Sequence, residues 1–513
     1  HLSQHGDVAL VHNGIVENYI ELRDFLTEQG YSFMSETDTE IAANLVEHLY
    51  RSNREDGPEA AIREALSLIS GAFALGIIFA DHPDTLYAVR KDSPLIIGAG
   101  RGENFIASDV PAILKHTRDV YRLGERELAI LTKDGVTVIN SYGERVNCVY
   151  EHIDRDASAA EKCGYPHFMI KEIMEQPEAI TKTIAPRISN GRIELGFKHI
   201  TAEMLKKVNS IKIIGCGSAY HVGFVAGYFM RAALRIPVES VLASEFRYDD
   251  PIVDENTLAI VISQSGETLD TLYGLREAKK HGAKTIAIVN VVGSTIANES
   301  EDVLYTWAGP EIAVATTKAY STQLVLIHLL MLCIAQAQGK MSEQQIAHEI
   351  ECLERIPDQL KFMLSNVEQV QFLASQFFNG RDMFFIGRNV DYALSLEASL
   401  KLKEISYIHS EAYAAGELKH GTISLIENGT LVIALCTYRP LLEKMISNIK
   451  EVKARGASVI AVINEDDAQT ETVADYVIRI PECESIATPS LTIVPLQLFA
   501  YYIASLKGCD IDK

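Results

Sequence analysis

The sequence predicts an α/β protein: two doubly wound parallel-sheet domains preceded by a smaller α+β domain. Three observations carry this. Apolar runs such as residues 258–262 alternate with amphipathic helices through the last two thirds of the chain, the pattern of parallel sheets covered on both faces. The pattern occurs twice: Gly387 follows Gly215 by 172 residues, and Gly456 and Asn464 follow Gly282 and Asn290 by 174. The first 155 or so residues instead mix short strands with two or three helices and lack the repeat.

Length and composition agree. A chain of 513 residues, 47% hydrophobic, has material for about three domains. A net charge of −22 argues against nucleic acid and anionic membrane as partners. The eight Cys form no C-x-x-C pair and no His cluster joins them, so reduced, buried thiols in a cytoplasmic protein are expected, with no metal site. The longest apolar stretch, residues 324–335, is interrupted by His328 and is too short to span a bilayer.

From the N-terminus, a strand is expected at residues 8–11. His12-Asn13-Gly14 follows and by itself reads as a turn. Apolar positions Ile41, Leu45, Val46 and Leu49 predict a helix over 40–50, and strands are expected at 73–79, 85–89 and 128–131. The polar stretch 154–161 reads as part of a linker. The first repeat then runs through 211–217, a helix, 258–263, a helix, 282–290 and a further strand at 303–305. The second runs through 383–388, a helix, 431–436, a helix, 456–464 and 476–480.

The sharpest local signal is Ser263-Gln264-Ser265-Gly266-Glu267-Thr268, between a buried strand and a helix. Ser265 and Thr268 stand at the helix start, with free backbone N–H groups and the positive end of the helix dipole, and Gly266 allows close approach. Ser-x-x-Thr alone reads as an ordinary capped helix; the whole hexapeptide after a buried strand favours a phosphate. The second repeat has Cys436-Thr437-Tyr438-Arg439-Pro440 there, so the two domains have different tasks. Lys401 and Glu404 lie three apart in a helix expected over 393–405 and project from one face. The pair alone reads as a surface ion pair. A carboxylate held beside a lysine suits general-base work, which makes Glu404 a candidate. His420, in a loop bounded by Gly416 and Gly421, suits acid–base work.

The loop 263–268 resembles the phosphosugar loop of sugar isomerase (SIS) domains. Residues 215–220 (GCGSAY), 313–318 (AVATTK) and 401–421 (KLKEISYIHSEAYAAGELKHG) resemble the remaining motifs of the glutamine–fructose-6-phosphate aminotransferase (isomerising) family. Residues 11–18 (VHNGIVEN) and 35–40 (SETDTE) resemble that family's glutaminase domain, of the N-terminal-nucleophile class. The resemblance covers nearly the whole chain. It implies an incomplete type 2 glutamine amidotransferase domain over 1–155, a linker over 156–195, and SIS domains over 196–340 and 341–513. It implies conversion of fructose 6-phosphate and glutamine to glucosamine 6-phosphate and glutamate, the first step of UDP-N-acetylglucosamine synthesis, with no metal or organic cofactor.

For individual residues the resemblance implies Glu404 as proton shuttle, Lys401 near the reacting carbonyl, and His420 in ring opening within a neighbouring subunit's site, hence at least a homodimer. It implies Ser263, Gln264, Ser265 and Thr268 on the phosphate, and Ser218, Val314 and Thr316 along the sugar. In the glutaminase, Asn13 and Gly14 would form the oxyanion hole and Asp38 would bind the amino group of glutamine. There are departures. The family often has Thr-Ser at Ser218-Ala219 and usually Ser at Thr316. Its tail lysine has no match in Lys513, and its N-terminal Cys nucleophile has no match here. The chain is therefore expected to be truncated at both ends and, as it stands, to lack glutaminase activity. Two rivals remain: a phosphosugar isomerase or deglycase, disfavoured by 12–14 and 35–40, and a sugar-phosphate sensor, disfavoured by Glu404 and His420.

Overall fold

The computed structural model describes residues 1–110, 112–153, 161–189, 191–483 and 486–513, in two compact units, His1–Glu161 and Lys162–Lys513. The polar stretch expected to be a linker lies, for residues 154–160, outside the described residues.

In the first unit, strands β1 (Val8–Val16), β2 (Gly71–Phe79), β3 (Leu86–Lys91), β7 (Leu128–Thr132) and β8 (Gly135–Ile139) form an antiparallel sheet in the order β1-β2-β3-β7-β8. Strand period puts Phe73, Leu75, Ile77 and Phe79 on one face, where they share a core with Ile41, Leu45 and Val46 of α2 (Asp38–Ser52). Helices α1 (Tyr19–Glu28) and α3 (Gly57–Leu68) complete that layer. On the other face Ala74, Ala88 and Ala129 leave room for a second core containing Leu95, Ile97 and Leu123. Ile97 belongs to a smaller antiparallel sheet of β4 (Ile96–Ala99), β5 (Asn104–Ala107), β6 (Asp119–Arg122) and β9 (Glu151–His152). His12-Asn13-Gly14 is not a turn. It lies inside β1, paired with Leu75, Ala74 and Phe73 of β2. Cross-strand pairing overrides the turn preference of Asn-Gly.

The second unit holds two five-stranded, fully parallel sheets. The first comprises β10 (Ser210–Gly215), β11 (Val238–Leu242), β12 (Thr257–Ser263), β13 (Lys284–Val289) and β14 (Asp302–Tyr305), in the order β11-β10-β12-β13-β14. The second comprises β15 (Asp382–Gly387), β16 (His409–Ala414), β17 (Leu431–Cys436), β18 (Ser458–Asn464) and β19 (Tyr476–Ile480), in the matching order β16-β15-β17-β18-β19. Every residue of β12 is buried: Leu258, Ile260 and Ile262 face one core, and Ala259 and Val261 the other. Truncating such a residue, as in Ile260→Ala, costs about 2–5 kcal/mol.

Helix α4 (Phe168–Met174) and α5 (Gln176–Ile184) fall within the expected linker 156–195, yet Met169, Ile173 and Ile180 sit in the main core. That part of the segment is structural; its apolar spacing is what a linker would lack. Helices α6 (Ser218–Leu234) and α8 (Lys318–Ala337) of the first repeat pack together, and α10 (Val390–Ser406) and α12 (Thr488–Lys507) of the second do the same. Contact between α6 and α10 joins the repeats, so one core spans both. Helices α8 and α12 are each 20 residues and apolar enough to cross a bilayer by length, so the shortness expected of 324–335 does not hold; both are instead mostly buried inside the unit. The expectation of buried thiols also needs correction. Of the eight Cys only Cys436 is buried, and Cys163 is exposed.

Candidate functional site

A cavity of about 210 Å³ opens at the carboxyl ends of β10 and β12. In the order β11-β10-β12 this is where the strand order reverses, the place where open parallel sheets bind ligands. Ser263, Gln264, Ser265 and Thr268 line it together with Ser218, Ala219 and Thr316. Six of the seven sugar-phosphate residues expected from sequence thus meet in one place. Val314 does not line it. It is exposed, and its N–H donates to the Asp512 carbonyl at 3.3 Å.

The loop 263–268 is braced from below. Ser263 Oγ lies 2.9 Å from Thr268 Oγ1 and accepts from the Gly266 N–H at 3.0 Å. The Asn290 N–H donates to the Gln264 carbonyl, and the Ile296 N–H to that of Gly266, each at 3.0 Å. Glu267 accepts from Thr295 N–H at 2.9 Å and from its hydroxyl at 2.7 Å. Gly266 has φ +69°, and a Cβ there would lie 2.0 Å from Ser294 Oγ, so only glycine fits. Thr268 is the N-cap of α7 (Leu269–Lys280), but its side chain makes no capping bond; it turns to Ser263 instead. The first N–H groups of α7 therefore keep no side-chain cap, which leaves the helix start able to take an anion.

The opposite wall is the start of α8. Thr316 precedes it, and two carboxylates hold the loop in place. Glu311 accepts from the N–H groups of Thr317 at 2.9 Å and Ala319 at 3.1 Å. Glu172, buried on α4, accepts from Ile312 N–H at 2.6 Å and Ala313 N–H at 3.3 Å through Oε1. Burial raises the pKa of Glu172, and the Glu311 charge adds to it; its Oε2 has no partner and is the place for a proton.

Lys401 and Glu404 sit on α10. Glu397, Lys401 and Glu404 recur at i, i+4 and i+7, on one face. Lys401 is 1% exposed and Glu404 half-buried, so the pair is not the surface ion pair that its spacing alone suggests. Its Nζ donates to Glu404 Oε2 at 2.6 Å and lies 3.7 Å from Glu397 Oε1. Burial opposes the ammonium charge, yet Glu397 and Glu404 together raise its pKa above the ordinary lysine value. Removing those carboxylates would strand a buried cation, at about 3–5 kcal/mol. Glu397, fully buried, reaches across to the first repeat. Its Oε1 accepts from Ser218 Oγ at 2.9 Å, and its Oε2 lies 2.7 Å from His221 Nδ1. Ser218 lines the cavity, so a continuous polar path runs from cavity wall to Glu404. Glu397 and His221 were not singled out from sequence; the i, i+4, i+7 stripe of charge was the available signal. His420 is exposed on the turn Leu418–His420 and does not line the cavity.

In the first unit, Asn13 and Gly14 are exposed on β1, and Gly14 has φ +131°. A Cβ on Gly14 would meet the Ala72 carbonyl at 2.1 Å. Asp38 begins α2 and accepts the Val16 N–H at 2.8 Å, tying helix to strand; its Oδ1 lies 3.6 Å from His12 Nδ1. Burial lowers the His12 pKa, and Asp38 opposes that shift. Asn13, Gly14 and Asp38 thus gather at the end of β1.

Known proteins share this arrangement. A SIS domain model matches residues 204–333 and 376–507, and a glutamine amidotransferase domain model matches 1–115. The glutamine–fructose-6-phosphate aminotransferase [isomerizing] of Caldanaerobacter subterraneus subsp. tengcongensis is 54% identical over 514 residues, covering 100% of this chain and 84% of that protein. Its namesake from Thermus thermophilus is 44% identical, with the same coverage. The C-terminal domain of glucosamine-fructose-6-phosphate aminotransferase from Francisella tularensis superposes with a TM-score of 0.66 at 38% identity, over 69% of this chain and 100% of that one. With both SIS repeats and the amidotransferase domain matched, and close to half or more of its residues shared with such relatives end to end, the chain belongs to the glutamine–fructose-6-phosphate aminotransferase (isomerizing) family.

Proposed function

We propose that this chain serves the conversion of D-fructose 6-phosphate and L-glutamine to D-glucosamine 6-phosphate and L-glutamate, the first step of hexosamine and UDP-N-acetylglucosamine synthesis, in a cytoplasmic homodimer or higher homo-oligomer. The observation that carries the reading is the uncapped start of α7 beside a cavity at the sheet's switch point, linked through Ser218 and Glu397 to the Lys401–Glu404 pair. Ser263, Gln264, Ser265 and Thr268 hold the phosphate with the helix dipole behind them. Ser218 and Thr316 border the sugar. Ammonia released from the glutamine amide by water replaces the C2 carbonyl oxygen, which leaves as water. Glu404 then takes a proton from C1 and returns one to C2, while the C1 hydroxyl loses its proton and the imine nitrogen gains one, leaving an aldehyde at C1 and an amine at C2. Lys401 supplies the positive charge beside that carboxylate and near the carbonyl. The exposure of His420 suits a group that serves ring opening in a neighbouring subunit. At the glutaminase site, Asn13 and Gly14 stabilise the oxyanion and Asp38 holds the amino group of glutamine.

The test is calorimetry with glucosamine 6-phosphate on the whole chain and on the Ser265→Ala, Thr268→Ala double variant. Hydrogen bonds to a charged group are worth roughly 1.5–3 kcal/mol each, so affinity should fall about tenfold or more. Unchanged affinity would remove the phosphate assignment.

A further inference from the structure

The cavity has one more polar wall residue. Gln323 lies on α8, Thr316 in the loop just before that helix, and both line the cavity. Gln323 is 1% exposed, and neither its Oε1 nor its Nε2 has a hydrogen-bond partner. Its neighbours Leu324, Val325 and Leu326 are fully buried apolar residues, so an amide is a costly choice for filling the space. Buried amides are almost always paired within the fold, and a near-isosteric methionine would serve packing alone. The phosphate loop differs in this respect: Ser263 Oγ already meets Thr268 and the Gly266 N–H.

The two orphaned atoms specify the partner. A phosphate oxygen only accepts, so it would serve Nε2 and leave Oε1 unsatisfied. A sugar hydroxyl both donates and accepts, and an amide donor next to an amide acceptor is the match for it. We infer that Gln323 is a specificity-determining residue that reads a hydroxyl of the bound sugar phosphate, separately from the groups that hold the phosphate. This rests on the reading of the cavity as a sugar-phosphate site. It goes further by assigning the polyol part of the ligand to a residue outside the phosphate loop. A site with such an orphan rejects ligands that lack the hydroxyl, because the amide then stays unpaired.

The test uses the whole chain and Gln323→Met, which keeps length and helix preference but removes both polar atoms. Calorimetry is run with glucosamine 6-phosphate and with inorganic phosphate, and thermal unfolding is followed without ligand. Glucosamine 6-phosphate affinity should fall about tenfold, while inorganic phosphate should bind within about twofold of the parent. The ligand-free variant should melt at or above the parent's temperature, since a buried unpaired amide is gone. Unchanged glucosamine 6-phosphate affinity overturns the inference, and so does an equal loss for both ligands. A lower melting temperature with both affinities intact shows a packing role and overturns it too. Ser265→Ala separates the two readings, because it should weaken both ligands. If the parent binds neither ligand, the sugar-phosphate reading fails first and this inference with it.

Discussion

Helix α8 carries the cavity wall at its start and an unpaired histidine at its middle, and the histidine should make the second unit sensitive to acid. His328 is fully buried, packs edge-to-face on Phe229 at 5.3 Å, and has no partner for either ring nitrogen. Burial pushes its pKa down to about 3. The unfolded chain takes up a proton near the ordinary value of about 6.5, whereas the folded chain stays neutral until about 3. Between those values the unfolded state binds the extra proton, so stability falls as pH falls. At pH 5 the gap of about 1.5 pH units below 6.5 corresponds to about 2 kcal/mol, and at pH 7.5 to almost nothing. His328→Leu removes the titration and both orphaned nitrogens. Urea unfolding at the two pH values can be followed through Trp307, the single tryptophan, which lies in the second unit. The parent should lose about 2 kcal/mol more than the variant on going from pH 7.5 to 5. An identical pH dependence in the two proteins would refute the reasoning.

Gly266→Ala should destabilise the second unit and abolish glucosamine 6-phosphate binding, since the new Cβ would sit 2.0 Å from Ser294 Oγ at a φ of +69°. Left-handed strain alone is about 1–2 kcal/mol, so a melting temperature equal to the parent's would show that the loop adjusts. Glu404→Gln should leave glucosamine 6-phosphate affinity largely intact but slow deuterium entry at C2 by about 10²–10⁴-fold, with fructose 6-phosphate and ammonia in deuterated water. Turnover close to that of the parent would move the base elsewhere, with His420 the next group to test.

Much of the second unit was legible because its central strands are buried on both faces. Strands such as β12 and β17 read as unbroken apolar runs, and the repeat supplied an independent check. The edge strands were not legible. β16, His-Ser-Glu-Ala-Tyr-Ala, is half exposed along most of its length and has no apolar run. The small sheet of the first unit escaped for a similar reason: β4, β5 and β6 are four residues each, too short for a period to register. At the site, Ser263 to Thr268 could be read because a strand, a loop and a helix start lie together in sequence. Glu397 could not, because its meaning depends on Ser218 and His221, 179 and 176 residues away. A buried carboxylate with distant partners leaves only charge spacing as a trace.

The two repeats show how one topology divides its labour. Ala219 in the first repeat lies 172 residues before Asp391 in the second, the same offset that relates Gly215 to Gly387. Ala219 lines the open cavity, where a small side chain leaves space for a ligand. Asp391 turns its carboxylate onto the loop after β17. It accepts the N–H groups of Thr437 at 2.8 Å and Tyr438 at 2.9 Å, and the Thr437 hydroxyl at 2.6 Å. Burial pushes its pKa up to about 6, while those three donors pull the other way. The N–H groups that an external anion could use are thus occupied from within, and the second sheet's switch point is filled by its own chain. What the second repeat contributes comes from α10, whose Glu397, Lys401 and Glu404 face the first repeat. A small residue keeps one switch point open, and an acid at the matching place closes the other. That explains why, among the described residues, the duplicated fold opens this cavity in one repeat and serves it from both.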